Sequence, residues 1–390
     1  MIERIAENFS DVYAGQEPVI VSRASGRVEL IGGHTDYNEG FVIAAAIDKS
    51  CWVAASKRED SRICLYSELF EEKHEFELSK DLQPSTECKW ANYGRGVAAL
   101  LLKEGVTLKG ANLYIASDVP LGSGLSSSAA LEVSLARVLI HIAEPEYKIK
   151  PQRLARICQK AENVYANSPC GIMDQTVSIM GEKDHAVFLD CRDVSIKSLP
   201  FDSSNCCIMI FNSMVQHEVG GGEYGKRRKR CEQARDILKK KYPDVKALRD
   251  VDDAMLESVK EQLEPVTFSR ASHVVGENAR VLAAAEALER NDVAEFGKLM
   301  SQSHCSARDL YEISCEETDF LAEQICNCNG SYGARIMGGG FGGAVVALAR
   351  PDSVDEISQK VRSAYKEKFG VESDVHIARP SKGTQIIELK

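Results

Sequence analysis

The sequence predicts an α+β protein of two domains. Three observations carry that expectation. The chain has 390 residues, enough for two sizeable cores. Its first half alternates short apolar runs with turn residues, the pattern of strands. Its second half carries a long helical region over about 224–328, so strands and helices do not alternate as regular βαβ units.

Taken in order, Met1–Glu7 is charged and helix-like and lacks the apolar core of a signal peptide. Val19–Ser22, Phe41–Ile47, Cys51–Ser56, Ile63–Tyr66 and Leu113–Ala116 read as strands. Helices are expected over 91–104, 126–142 and 151–167. Ser168-Pro169 then interrupts, because proline cannot continue a helix but suits the first turn of a new one. Cys170–Met180 reads as that new helix, with Asp174 in its early turns, and Ala186–Asp190 returns as a strand. Cys207–Phe211 opens the second half as a strand, and the helical region beyond it is broken near Pro243 and Pro265. Arg335–Met337 and Ala344–Leu348 read as a strand pair around Gly338-Gly339-Gly340-Phe341-Gly342-Gly343. A helix over 353–369 and a strand over 373–378 finish the chain. The border is expected near 195–205, giving domains 1–200 and 201–390.

Composition narrows the function. A formal net charge of −10 opposes a general nucleic-acid binder, which needs a basic footprint. Apolar runs such as Phe41–Ile47 are far too short to span a bilayer. The 13 cysteines follow no zinc-site spacing, so buried, reduced thiols and a cytoplasmic location are expected.

The densest chemistry is Val119-Pro120-Leu121-Gly122-Ser123-Gly124-Leu125-Ser126-Ser127-Ser128-Ala129-Ala130, small residues running into an apolar helix. Glycines let the backbone approach a ligand, and a helix N-terminus offers N–H groups to an oxyanion. The residues alone fit either a phosphate cradle or a well-capped helix. In Gly26–Gly40, an extended backbone would point His34 and Asp36 the same way, toward sugar hydroxyls; a polar turn is the competing reading. Asp174 lies in an apolar helix, and Glu162 lies 12 positions upstream on the preceding one. Facing one cavity, one carboxylate would hold Mg²⁺ and the other accept a hydroxyl proton. The alternatives are a capping or salt-bridged aspartate and a solvated glutamate. Gly220–Arg227 nearly matches a Walker A loop, but Arg227 cannot supply the metal-binding hydroxyl. The basic run Lys226–Arg230 reads as a solvated helix face.

These segments together resemble the galactokinase family of the GHMP small-molecule kinases. Gly26–Tyr37 follows the family signature, Pro120–Ala130 its phosphate loop and Gly338–Gly343 its third glycine motif. Trp90-Ala91-Asn92-Tyr93, Pro169–Gln175, His185–Arg192 and Phe211–Ala234 follow family stretches in the expected order. The resemblance implies a ribosomal-S5-like N-terminal domain and a ferredoxin-like C-terminal domain with the active site between them. It implies phosphorylation of the galactose C1 hydroxyl by ATP with Mg²⁺, Asp174 as base and Arg27 positioning it. Sugar contacts would come from Arg27, Gly33, His34, Thr35, Asp36, Gly171, Asp174, Tyr224, Gly338 and Gly339. Gly122, Ser123, Gly124, Leu125, Ser126, Ser127 and Ser128 would hold ATP phosphates, with Trp90 and Ser67 near the nucleoside. Ser128 and Glu162 would bind Mg²⁺, the choice among the serines resting on register. Two departures stand out: Gly33 replaces a family glutamate that approaches the C6 end of the sugar, and Glu29 replaces an asparagine. Galactose, with another group supplying the lost contact, is the expected substrate. A uronic acid, N-acetylgalactosamine or a non-catalytic sugar sensor are the alternatives.

Overall fold

The computed structural model describes residues 1–216 and 222–389. Gly220 and Gly221 of the rejected Walker-like run lie outside the described residues. After helix α1 (Ile2–Val12), strand β1 (Ile20–Ile31) runs antiparallel to β2 (Phe41–Lys57). The two apolar runs expected as separate strands within 41–56 form this single strand. Asp48-Lys49-Ser50 between them does not break it, because β1 pairs along its length with a register shift between Ser25 and Arg27. The end of β2 nearer Phe41 pairs with β6 (His185–Asp190) and its far end with β5 (Ala111–Ser117).

The first sheet is completed by β3 (Arg62–Ser67), β4 (Glu72–Glu77), β7 (Ser195–Pro200) and β12 (Gln385–Glu388). Its path runs β12-β1-β2-β5-β3-β4, with β6 paired to β2 and β7 to β6. Helices α2 (Asn92–Glu104), α3 (Ser127–Ala143), α4 (Pro151–Tyr165) and α5 (Met173–Met180) pack with it. Pro151 starts α4, and Gly105, left-handed at φ 100°, ends α2. The helix expected from Cys170 begins only at Met173.

The second sheet has the order β11-β8-β10-β9, from β8 (Cys207–Gln216), β9 (Ser331–Ile336), β10 (Gly342–Ala349) and β11 (Asp374–Ala378). Its companions are α6 (Gly222–Lys241), α7 (Asp253–Glu257), α8 (Pro265–Glu289), α9 (Val293–Ser306), α10 (Glu316–Cys326) and α11 (Val354–Phe369). A one-turn π-helix, Ala307–Tyr311, follows α9. Beyond β11 the chain returns to the first sheet, where β12 pairs with β1. One apolar cluster is continuous from β1 and α3 to α8, α9 and β10. All 13 cysteines are free thiols, most of them buried. In α6, Lys226, Arg228 and Lys229 are exposed as expected. Arg227 instead turns inward and donates to the carbonyls of Tyr311 and Glu312. Among the described residues no helix is long and apolar enough to cross a membrane.

Candidate active site

Asp174 is the second residue of α5, and Arg27 projects from β1. The guanidinium clamps the carboxylate in two parallel bonds, Nε to Oδ1 at 2.8 Å and Nη2 to Oδ2 at 2.6 Å. Its third arm donates to the Gly124 carbonyl. Ser126 Oγ donates to Asp174 Oδ2 at 2.5 Å. Ser126 has left-handed backbone (φ 57°) just before α3, a conformation that non-glycine residues hold only when their surroundings impose it. Burial works against the Arg27 charge, but Asp174, then Glu29 and Glu162, more than offset it and raise its pKa.

One compartment of the cleft beside this clamp is lined by Arg27, Glu29, His34, Asp36, Gly171, Asp174, Tyr224, Gly338 and Gly339. Of the two readings left open for 34–36, extended backbone or polar turn, the structure has the turn. β1 ends at Ile31, His34 is left-handed (φ 62°) and Asp36 begins a 3₁₀ turn over Asp36–Asn38. The turn, not strand alternation, brings both side chains to the cavity. Two of the residues expected at the sugar do not line it. Thr35 is fully buried and its single hydroxyl proton is within hydrogen-bond reach of the carbonyls of Gly32, at 2.8 Å, and Phe41, at 2.7 Å, so it fastens the turn. Gly33 is buried against Arg335. Gly171 is required by contact: a Cβ there would stand 1.4 Å from Asp36 Oδ2.

Burial, with His273, Arg227 and Arg335 nearby, pushes the His34 imidazole down to about 3, so it is neutral at physiological pH. Its Nδ1 meets the Tyr37 hydroxyl at 2.8 Å, which meets that of Tyr311 at 2.6 Å. Burial, then the charges of Glu29 and Asp174, push the Asp36 carboxyl up to about 7.

The adjoining compartment is lined by Gly122, Gly124, Leu125, Ser126, Ser127 and Ser128 and shares Arg27, Gly338 and Gly339 with the first. The N-terminus of α3 opens here, where unpaired N–H groups favour anions. Ser123 does not reach it: the residue is fully buried and its hydroxyl donates to the Pro120 carbonyl at 2.8 Å. A third, mostly apolar compartment joins at Ser127 and Ser128 and is walled by Ser67, Phe70, Trp90, Tyr93 and Leu131. Trp90 stacks with Phe70 at 6.0 Å and donates to Glu72 at 2.7 Å.

Glu162 is buried, not a solvated face. It accepts from Gln175 Nε2 at 2.7 Å; burial, then Asp174, raises its pKa, and the neighbouring Ser128 hydroxyl opposes that rise. Among the described residues no cluster of three or more His, Cys, Asp or Glu forms a metal cage. One hydroxyl and one carboxylate still fit Mg²⁺, a hard cation that keeps several positions for water and phosphate oxygens.

The sequence reading gave no site role to Glu29, Phe70 or Tyr93, although Glu29 stood out as a departure. Strand alternation from Arg27 pointed to Glu29. Nothing local joins Phe70 to Trp90, which meet only through the fold.

Comparison with known proteins agrees with this geometry. The galactokinase galactose-binding signature matches residues 7–57, and the GHMP kinase N-terminal and C-terminal domains match 92–182 and 284–367. The galactokinase of Roseiflexus sp. (strain RS-1) is 39% identical over 382 residues, covering 97% of this chain and 95% of its own length. That of Haemophilus influenzae (strain PittGG) is 40% identical over 389 residues, covering 98% and 99%. The structure of Lactococcus lactis galactokinase complexed with galactose superposes with a TM-score of 0.93 at 31% identity, covering 98% of this chain and 99% of its own. A mevalonate kinase matches with a TM-score of 0.64 at 16% identity, over 93% of this chain and 99% of its own, a likeness of fold alone.

Proposed function

This chain belongs to the galactokinase family, and from that premise we propose how its residues work. The chain is an ATP-dependent sugar kinase that transfers the γ-phosphoryl group to the C1 hydroxyl of galactose, giving galactose 1-phosphate and ADP. The observation that carries the residue assignment is the Arg27–Asp174 clamp at the junction of the sugar compartment and the phosphate loop.

Asp174 faces the C1 hydroxyl and takes its proton as the hydroxyl oxygen attacks. Arg27 fixes both carboxylate oxygens and lies where charge develops on the transferring group. Ser126 ties the phosphate loop to the same carboxylate, so both substrates are aligned by one set of bonds. Asp36 accepts from sugar hydroxyls, and neutral His34 adds a polar contact. Tyr224 walls the sugar compartment, and Gly338 and Gly339 let the backbone close over both ligands. Backbone N–H groups of Gly122–Ser128 receive the phosphates, and Trp90, Phe70 and Ser67 enclose the nucleoside. The Ser128 hydroxyl and Glu162 carboxylate are the pair that would hold Mg²⁺. When bound, the ion neutralises charge on the β- and γ-phosphates. We include in the proposal a cytoplasmic location and a division of the chain at about residue 200.

Single-turnover transfer by the wild type and Asp174→Asn tests the assignment. The variant is expected to slow the chemical step by about 10²–10⁴, the usual range for a general base. An unchanged step would remove Asp174 from the mechanism.

A further inference from the structure

The two departures in the signature meet at one buried ion pair. Arg335, on β9, donates from Nη1 to Glu29 Oε1 on β1 at 2.6 Å, with side chains 1% and 6% exposed. Its Nε donates to Ser303 at 3.2 Å. Gly33 lies against this guanidinium. A Cβ there would stand 2.5 Å from Arg335 Nη2 and 3.3 Å from Glu29 Oε1. Any side chain at 33 would therefore displace the arginine, and the absence of one makes room for the pair.

A buried ion pair is weak evidence for stability, because desolvation offsets much of the attraction. This one is also not sealed. Glu29 lines the same compartment as Arg27, Asp36 and Asp174. Its Oε1 is taken by Arg335, while Oε2 accepts no hydrogen bond among the described residues and is not among the enclosed orphan atoms. That oxygen is left to the cavity.

The strand sets its distance from the reacting end. Arg27 and Glu29 are two positions apart in regular register with β2, opposite Ala46 and Ala44. They therefore share a face and stand about 6–7 Å apart along β1, comparable to the breadth of a pyranose. A sugar whose C1 hydroxyl meets Asp174 beside Arg27 spans that interval. Its opposite edge, which carries the C4 and C6 hydroxyls, then reaches Glu29.

We propose that Glu29 Oε2 is a specificity-determining acceptor for a hydroxyl on the C4–C6 edge, and that Arg335 positions it. The arginine also adds a directly bonded positive charge to a carboxylate that stands near Asp36 and Asp174. The proposal rests on the galactose reading above and deepens it.

The test is a ratio of kcat/KM values, galactose over 6-deoxygalactose and galactose over 4-deoxygalactose. A ratio cancels differences in the amount of folded enzyme. The wild type is expected to prefer galactose by about 10–100-fold in one of the two, the range for one charge-assisted hydrogen bond. Glu29→Gln keeps a neutral partner for Arg335 and lowers that ratio several-fold. The double variant Glu29→Leu/Arg335→Met removes both polar groups without leaving either unpaired, and brings the ratio near one. Ratios unchanged in both variants would overturn the proposal. A wild type that forms no ADP with galactose would instead contradict the sugar-kinase reading on which it rests.

Discussion

At the scale of the single residue, the buried Asp36 carboxyl sets stability against the sugar-binding role proposed for it. Its carboxyl ionises near 3.8 when unperturbed and is pushed up to about 7 here, by burial first and then by Glu29 and Asp174. Between those values the folded chain keeps a proton that the unfolded chain releases. Stability from this group therefore falls as pH rises through that window and stays low above it. Asp36→Asn removes the penalty. The variant is expected to raise the melting temperature more at pH 8 than at pH 5, while raising the galactose KM by about 10-fold through a weakened acceptor. Thermal melts at both pH values and initial rates check this, and an equal gain at the two pH values would contradict the Asp36 assignment. Gly171 belongs to the same account, since it alone leaves room for the Asp36 carboxylate.

At the scale of elements, the starts of α3 and α5 and the interior face of α4 divide the labour. The turn into α3 sets Ser126 on Asp174 and Ser128 near Glu162, and the proposed function gives the first pair the proton and the second the cation. Ser128→Ala and Glu162→Gln are each expected to raise the apparent KM for Mg²⁺ by about 10–100-fold, the range for losing a metal-site partner. The galactose affinity should hold. A Mg²⁺ titration at fixed ATP with a parallel sugar-binding curve checks it, and equal losses for metal and sugar would contradict the division.

Elements of this kind were legible in the sequence because their signals are local. Gly122–Ser128, the break at Ser168-Pro169 and the glycines around Phe341 each announce a turn within a few residues. The strands β4, β7 and β12 were not foreseen. Glu72-Lys73-His74-Glu75-Phe76-Glu77 buries a single apolar residue, Phe76, among polar ones because it lies at the sheet edge, and β12 is short and pairs with β1, far back in the chain. The sequence left 34–36 open between extended backbone and a polar turn, because both bring His34 and Asp36 together; the turn is what forms. Glu29 and Arg335, 306 positions apart, are joined by tertiary structure alone.

The whole molecule puts its cleft where the two sheets meet. Arg27 and Asp174 come from the first half of the chain, whereas Gly338 and Gly339 come from the link between two strands of the second sheet. The halves are fastened at several points beyond Glu29–Arg335. Arg192, after β6, reaches Glu39 at 2.6 Å and Asp250 at 2.8 Å. Arg249 bonds Asp190 at 2.5 Å and lies 4.2 Å over the Phe41 ring. These ties fasten the segment after the His34–Asp36 turn to the second half of the chain, and the proposed in-line phosphoryl transfer needs such fixed positioning more than covalent help. The most direct measurement is phosphorus NMR of the product from purified protein, MgATP and galactose. The account predicts one sugar phosphate per ADP, bearing its phosphate on the anomeric carbon. A phosphate on another carbon, or ADP formed without any sugar phosphate, would contradict it.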